Sequence, residues 1–201
     1  FVFLAELGFD FPHGLDIAFY GNIPNGSGLS SSASFELLVG VIARKVYTLD
    51  IDTLGLVKVG KRVENDFIGV NSGIMDQFAV GMGKKDHAIF LDCATLEYEL
   101  VPVKLGDYRI VIMNTNKRRE LADSKYNERF AETRIALKEL QEHVAIESLG
   151  DLTLDQFDEL KHHLSSELIV KRARHAVSEN ERTVLATRVL KEGDLDRKST
   201  R

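Results

Sequence analysis

The chain of 201 residues has little cysteine, little proline and no long apolar runs, and each shortage excludes a class of protein. Cys93 is the single cysteine, so no disulfide can form within the chain, and we expect a reducing compartment, the cytoplasm. Three prolines and 15 glycines exclude collagen-like and proline-rich disordered chains. The apolar runs are far shorter than the ~20 residues that a membrane-spanning helix needs, so we expect no membrane partner.

Positive charge is also in short supply. The 26 Lys and Arg residues against 31 Asp and Glu leave a net charge of −5. A surface that binds nucleic acid or an anionic membrane needs clustered positive charge, so we expect no nucleic-acid partner. Hydrophobic residues make up 44% of the chain, which is enough to form a core, and the composition is that of a soluble globular protein.

Both ends of the sequence indicate a piece of a longer protein. The chain begins on the apolar residues 1–4, without a methionine and without the basic segment of a signal peptide. It ends on residues 196–201, which have no apolar periodicity. We therefore expect an internal segment of a longer chain.

Apolar spacing predicts a mixture of helices and strands. Apolar residues recur every three or four positions in the segments 30–46, 53–67, 74–80, 122–144 and 168–191, as in helices. They alternate or run together in the strand-like segments 15–20, 88–91, 98–103 and 109–113. Because helices are followed by consecutive strands, we predict an α+β fold with an antiparallel sheet. A change in local character near residues 104–108 suggests a domain boundary there.

The segment 24–33, Pro-Asn-Gly-Ser-Gly-Leu-Ser-Ser-Ser-Ala, is the most informative part of the sequence. Glycines allow the backbone to approach a ligand closely, and the N–H groups and dipole at the start of the following helix favour a bound phosphate. Serine hydroxyls can donate to phosphate oxygens and can bind Mg²⁺. The lysine and hydroxyl pair of a Walker A loop is missing. An ordinary glycine-rich turn with a serine N-cap remains an alternative, although three consecutive serines exceed what one cap requires.

Two carboxylates, Glu64 and Asp76, are candidates for chemistry. Asp76 lies between the apolar residues Ile74, Met75 and Phe78, and a carboxylate in such surroundings has to be paired, ligated or functional. It could act as a base toward a hydroxyl nucleophile, or it could cap a helix. Glu64 stands among basic and polar residues, so a solvated helix position is its simpler interpretation and metal ligation is the alternative.

The remaining polar residues give weaker signals. His162 and His163 are adjacent, so we expect their rings to diverge on a helix and not to share a metal ion. Cys93 has no partner motif, and we expect a small buried residue. The basic run 117–119 is interpreted as a solvated patch.

Four motifs, in order along the chain, resemble the GHMP small-molecule kinases and, within them, the bacterial galactokinase family. They are the segment 24–34, Gly-Ile-Met-Asp-Gln at 73–77, Gly-Lys-Lys-Asp-His-Ala at 83–88 and Asn-Thr-Asn-Lys-Arg at 114–118. The similarity extends from about residue 21 to residue 193, which is most of the chain.

The resemblance implies roles for individual residues. Asp76 matches the catalytic aspartate, placed to accept the proton of the sugar C1 hydroxyl as this attacks the γ-phosphoryl group. Ser32 and Glu64 match the two Mg²⁺ ligands, and Gly73, Asp76 and Tyr126 match positions that meet galactose. The residues that would cradle the ATP phosphates are Gly26, Ser27, Gly28, Leu29, Ser30, Ser31 and Ser32.

The resemblance also implies a fold and a reaction. It implies the two-domain α+β architecture of GHMP kinases, with 1–106 as an N-terminal domain that binds ATP and Mg²⁺ and 107–201 as a C-terminal domain, incomplete at the outer ends. The implied reaction is the MgATP-dependent phosphorylation of α-D-galactose at its C1 hydroxyl, with galactose and ATP as partners. Phosphoryl transfer depends mostly on positioning and charge neutralisation, which a phosphate loop, one metal ion and one carboxylate can provide.

The sequence departs from the family pattern at both ends and within one helix. The N-terminal Arg-Val-Asn-Leu-Ile-Gly-Glu-His-Thr-Asp motif and the C-terminal glycine-rich motif are missing, and Phe130 and Thr133 replace an arginine and a cysteine. Because the first motif supplies an arginine and several galactose contacts in the family, we expect the chain by itself to be inactive. Another GHMP kinase, a galactose sensor without turnover and an inert piece with an incomplete core remain alternatives.

Overall fold

Helices form most of the structure, together with one small sheet. The structure, a computed structural model, describes residues 1–24, 27–114 and 125–193. In chain order the elements are α1 (Val2–Glu6), α2 (Ser31–Val46), α3 (Thr53–Arg62), α4 (Met75–Met82), β1 (His87–Leu91), β2 (Tyr98–Pro102), α5 (Lys125–Gln141), α6 (Leu154–Leu160) and α7 (Glu167–Glu192). A π-helical segment, Val63–Ile68, continues α3, and 3₁₀ turns at Leu149–Asp151 and Lys161–His163 flank α6. This mixture of helices and strands confirms the predicted α+β class.

The chain divides into two compact units. Unit 1 consists of Phe1–Tyr98 and the segment that begins at Asp107, and unit 2 consists of Glu99–Gly106 and the described residues from Lys125 onward. The domain boundary between residues 106 and 107, which the family resemblance implies, stays a prediction. No helix in the described ranges combines the length and the apolar character that crossing a membrane requires.

In unit 1, the helices α2, α3 and α4 pack on one another around a shared apolar core. The buried side chains of this core are Leu4, Leu37, Ala43, Leu56, Val57, Ile74 and Phe78. Glycines let the helices approach closely: a Cβ on Gly81 of α4 would lie only 2.7 Å from Cγ2 of Val57 on α3. Capping fixes the start of α3, because the side chain of Asp52 accepts a hydrogen bond from the backbone N–H of Gly55 at 2.7 Å.

In unit 2, α5, α6 and α7 enclose a second core. Its buried side chains are Ala136, Leu137, Leu140, Leu149, Leu152, Phe157, Leu164, Ile169, Ala173 and Val177. A capping box begins α6, where the hydroxyl of Thr153 accepts from the N–H of Gln156, whose side chain accepts from the N–H of Thr153. The long helix α7 ends at Gly193, whose φ of 75° is the left-handed conformation that glycine adopts without strain.

Three expectations about local structure are wrong. The segments 15–20 and 109–113 form no strands; a strand requires a neighbour to bond with, and β1 and β2 pair with each other in the only sheet of the described residues. The second segment is instead open to solvent, with Ile110 74% and Met113 85% exposed. Cys93 is exposed, because it lies in the turn between β1 and β2.

Candidate active site

The loop that precedes α2 carries the residues predicted to hold phosphate. Asn25 and Gly26 of this segment lie outside the described residues. Gly28 and Ser30 both adopt the left-handed conformation, with φ angles of 77° and 53°. Ser30 occupies the N-cap position of α2, but its side chain makes no capping hydrogen bond. The ordinary serine-cap interpretation of this segment is therefore wrong, and the left-handed Ser30 carries a strain of about 1–2 kcal/mol that capping does not offset.

The first turn of α2 borders a cleft in unit 1. Ser31, Ser32 and Ser34 line one part of it, and its volume is about 610 Å³. Apolar side chains line another part, among them Phe19 and Phe35, whose ring centroids are 4.6 Å apart. A cleft of this size, with hydroxyl groups and helix N–H groups at one side and aromatic rings at another, suits a ligand that has a charged part and a flat apolar part.

Glu64 lies on the π-helical continuation of α3 and is only 4% exposed. The expectation of a solvated helix residue is therefore wrong. The sequence carried a signal for this burial: Val57 and Gly60 are buried on the same helix, and Glu64 follows them by seven and four residues, the spacing of one helical face. Single π-helical turns within α-helices frequently occur at functional sites.

Asp76 lies in the first turn of α4 and is exposed, in contrast to the apolar surroundings that its sequence neighbours indicated. Ile74 occupies the N-cap position, so capping is not the role of Asp76. A negative charge in the first turn is stabilised by the helix dipole. The carboxylate of Asp76 is thus free to face a ligand from solvent.

Glu36 on α2 is the site residue that sequence reasoning missed. Burial of its carboxyl group raises the pKa of Glu36 to about 7; the hydrogen bond that Gln77 donates opposes this shift, and the negative charges of Glu64 and Asp76 add to it. The carboxyl groups of Glu36, Glu64 and Asp76 therefore lie near one another. Helical spacing could have found Glu36, because the buried residues Ala33 and Gly40 stand three positions before it and four after it.

The predicted site residues include serine hydroxyls and carboxylates, whose oxygen atoms are of the type that Mg²⁺ prefers. Serine hydroxyls and carboxylates are hard ligands, and Mg²⁺ is commonly held by one or two carboxylates together with the phosphates of a substrate. Within residues 1–24, 27–114 and 125–193, no set of three His, Cys, Asp or Glu side chains is placed to hold a metal ion by itself. Ser32 and Glu64 each offer an oxygen donor of the type that Mg²⁺ prefers.

The two other residues predicted to meet a sugar belong to different units, Gly73 to unit 1 and Tyr126 to unit 2. Gly73 is exposed just before α4, and a Cβ placed on it would meet nothing within 4 Å. Tyr126 lies at the start of α5 in unit 2 and is 44% exposed.

Unit 2 holds a cluster of histidines that the sequence did not predict. The ring of His163 stacks on that of His143 with centroids 3.7 Å apart, and it also lies 3.9 Å from the ring of His162. The expected divergence of His162 and His163 is therefore wrong: these residues lie in a 3₁₀ turn, and not in an α-helix. Burial, followed by the charges of His143 and His162, lowers the pKa of His163.

Comparison with known proteins shows which proteins the chain is similar to. Residues 2–84 match the model of the GHMP kinases N terminal domain. The chain is 60% identical over 194 residues to the galactokinase of Enterococcus faecalis and 56% identical over 196 residues to that of Limosilactobacillus fermentum. These matches cover 96% and 98% of the chain and 50% of each relative, so the chain spans about half the length of the curated relatives it matches.

A solved structure agrees with these matches. The crystal structure of Lactococcus lactis galactokinase complexed with galactose superposes with a TM-score of 0.93 at 54% sequence identity. The match covers 96% of this chain and 50% of the Lactococcus lactis chain. Residues 2–84 therefore match the GHMP kinases N terminal domain, and along nearly its whole length the chain is similar to galactokinases.

Proposed function

We propose that the protein containing this chain transfers the γ-phosphoryl group of ATP to the C1 hydroxyl of α-D-galactose and forms galactose 1-phosphate and ADP in the cytoplasm. The observation that carries this proposal is the 60% identity to a galactokinase over 96% of the chain. The galactose complex of a relative that is 54% identical supports the choice of sugar.

Asp76 serves as the catalytic base in this proposal. Its exposed carboxylate accepts the proton of the C1 hydroxyl, the sugar oxygen bonds to the γ-phosphorus, and the bond from that phosphorus to the bridging oxygen of ADP breaks. Gly73 and Tyr126, with Asp76, contact the sugar. Proximity of the carboxylate to the hydroxyl is its main contribution, because phosphoryl transfer needs little covalent help from the protein.

The loop and the first turn of α2 bind the ATP phosphates in this proposal, through Gly26 and the residues 27–32. Gly28 and Ser30 both have left-handed backbone, and loops with such residues can form a concave set of N–H groups that binds an anion. The cleft beside Ser31 and Ser32 offers aromatic side chains for the nucleobase. A nucleotide thus accounts both for the missing side-chain cap at Ser30 and for the mixed character of the cleft.

Ser32 and Glu64 are the proposed Mg²⁺ ligands. Mg²⁺ supplies charge neutralisation on the phosphates when it is bound. Burial of Glu64 holds its carboxylate in one place, and Ser32 stands on the first turn of α2, where the phosphates are proposed to bind. The two side chains would therefore link the metal to the phosphate loop.

The test is the release of ADP by the complete natural protein in the presence of Mg²⁺ and single candidate substrates. We expect ADP release with galactose, and phosphorus NMR should identify galactose 1-phosphate as the product. Glucose, homoserine and mevalonate serve as the other acceptors, and we expect little or no release with them. Omission of the acceptor is the control for ATP hydrolysis.

Two results would contradict the proposal. Turnover of another acceptor and not of galactose would assign the protein to a different kinase within the family. Binding of galactose in calorimetry without any release of ADP would identify a sugar sensor that lacks catalysis.

A further inference from the structure

Behind the exposed Asp76, the next residue makes a buried polar contact. Gln77 is only 2% exposed, and its Nε2 donates a hydrogen bond to Oε2 of Glu36 at 3.1 Å. Successive residues of an α-helix point about 100° apart, so the direction of Gln77 determines the direction of Asp76. Whatever holds Gln77 therefore also orients the carboxylate proposed as the base.

The acceptor of this hydrogen bond belongs to the helix that begins at the phosphate loop. Glu36 follows Ser32 by four residues on α2, so the two side chains lie on the same face, one turn apart. The bond from Gln77 thus connects α4 to α2 next to the turn that carries Ser32.

The third helix of unit 1 lies against the same contact. A Cβ on Gly60 of α3 would lie 3.0 Å from Cγ of Gln77 and 3.3 Å from Oε2 of Glu36. Beyond Gly60, α3 continues into the π-helical segment with Glu64. The elements that carry Ser32, Glu64 and Asp76 therefore all adjoin the hydrogen bond between Glu36 and Gln77.

This contact is costly for a feature that only fills the core. Oε1 of Gln77 is buried and accepts no hydrogen bond from the described residues, whereas Glu36 also shares a hydrogen bond with Glu64. Each unsatisfied buried acceptor costs about 1–3 kcal/mol, and an apolar pair of the same shape would avoid that cost. A hydrogen bond is directional, so a polar pair at this position can fix the orientation of α4 relative to α2, which an apolar pair would not do.

We propose that Glu36 and Gln77 are positioning residues for phosphoryl transfer: their hydrogen bond fixes the orientation of α4 relative to α2, and with it the placement of Asp76 against the Ser32 turn. This inference rests on the proposed function. In this proposal, neither Glu36 nor Gln77 contacts a substrate. A displacement of reacting groups by about 1 Å can reduce the rate about 100-fold, so loss of the hydrogen bond between Glu36 and Gln77 should lower kcat.

The test is Gln77→Met in the complete natural protein, because methionine has a similar length and cannot donate to Glu36. We expect kcat for galactose to fall about 10- to 100-fold while KM for ATP and for galactose changes less than about threefold. The matched control is Gln141→Met, which removes a glutamine that donates from Nε2 to the carbonyl oxygen of Ile146 at 2.8 Å in unit 2. This control should keep the natural kcat.

A second pair of variants separates positioning from packing. Glu36→Gln keeps an oxygen that can accept from Gln77, and Glu36→Leu does not. We expect Glu36→Gln to retain at least about tenfold more kcat than Glu36→Leu, at comparable thermal unfolding temperatures. Equal kcat in the two variants, or Gln77→Met within about threefold of the natural kcat, would overturn this proposal alone. A natural protein without galactose-dependent ADP release would overturn the proposed function and this inference together.

Discussion

Glu132 on α5 and Arg172 on α7 form a hydrogen-bonded ion pair across the core of unit 2, with Nε of Arg172 2.5 Å from Oε2 of Glu132. Glu132 is 8% exposed, so its carboxylate depends on this partner, whereas the arginine side chain keeps 31% of its surface. A second ion pair of α5, between Lys125 and Glu128, is 3.9 Å long and lies in solvent. The two pairs therefore differ in burial on the same helix.

Replacing Glu132 by alanine should destabilise the protein, because Arg172 would lose its charged acceptor in a partly buried place. We expect the free energy of unfolding to fall by about 2 kcal/mol, which chemical denaturation would measure. Glu128→Ala is the matched control, and its loss should stay below about 0.5 kcal/mol. Equal losses in the two variants would show that burial does not strengthen the inner pair.

Gly60→Ala tests the close approach of the three helices in unit 1. Alanine in a helix gains about 1 kcal/mol over glycine, but a Cβ here would stand 3.0 Å from both Gln77 and Leu37, and overpacking costs about 1–3 kcal/mol. We expect a net loss of about 1 kcal/mol in the free energy of unfolding. Gly14→Ala is the control, since a Cβ there meets nothing within 4 Å. A stabilised Gly60→Ala variant would mean that the neighbours yield easily.

The longer helices were predictable because each one carries its own apolar periodicity, whereas the short helices α1 and α6 were not predicted. The segments 30–46, 53–67 and 74–80 correspond to α2, α3 with its π-helical continuation, and α4, and 168–191 corresponds to α7. The apolar pattern of segments 15–20 and 109–113 predicted strands that the structure does not have. A strand depends on a hydrogen-bonding neighbour that local sequence does not specify.

The site shows the same division between local and tertiary information. Motif order selected Ser32, Glu64 and Asp76, but it gave no indication that Glu36 and Gln77 would meet, since 41 residues separate them. Their contact depends on how α2 and α4 pack. The charged neighbours of Glu64 indicated a solvated position, but the residue is buried. Its place on the buried face of the helix decides this, and not the composition of the surrounding sequence.

Asp76→Asn should abolish most turnover of galactose in the complete protein. Asparagine keeps the shape of the side chain but cannot take up the proton of the C1 hydroxyl, and loss of a general base typically reduces kcat by about 10²- to 10⁴-fold. ATP binding, measured by calorimetry, should remain because Asp76 is not among the proposed phosphate-binding residues. A natural rate in this variant would remove Asp76 from the role of base.

Ser32→Ala and Glu64→Gln should raise the Mg²⁺ concentration that gives half the maximal rate. Each variant removes one hard oxygen ligand or its charge, and we expect an increase of about 10-fold or more. Asp66→Asn is the control, because Asp66 lies on the same π-helical segment but is exposed and pairs with Arg62 at 3.3 Å. An unchanged Mg²⁺ requirement in Ser32→Ala and Glu64→Gln would exclude these two residues as the ligands.

The histidine cluster of unit 2 should make stability depend on pH. Burial and the charges of His143 and His162 lower the pKa of His163 in the folded state below its ordinary value of 6.5. The unfolded chain therefore takes up this proton more readily, so the contribution of His163 to stability is complete above pH 6.5 and is lost as the pH falls below it. We expect the thermal unfolding temperature of His163→Asn to fall less than that of the natural chain between pH 8 and pH 5.

His175→Asn, on α7 and outside the cluster, is the matched control for removing one histidine. If His163→Asn and the natural chain lost stability in parallel over this range, the stacked rings would not be the source of the pH dependence.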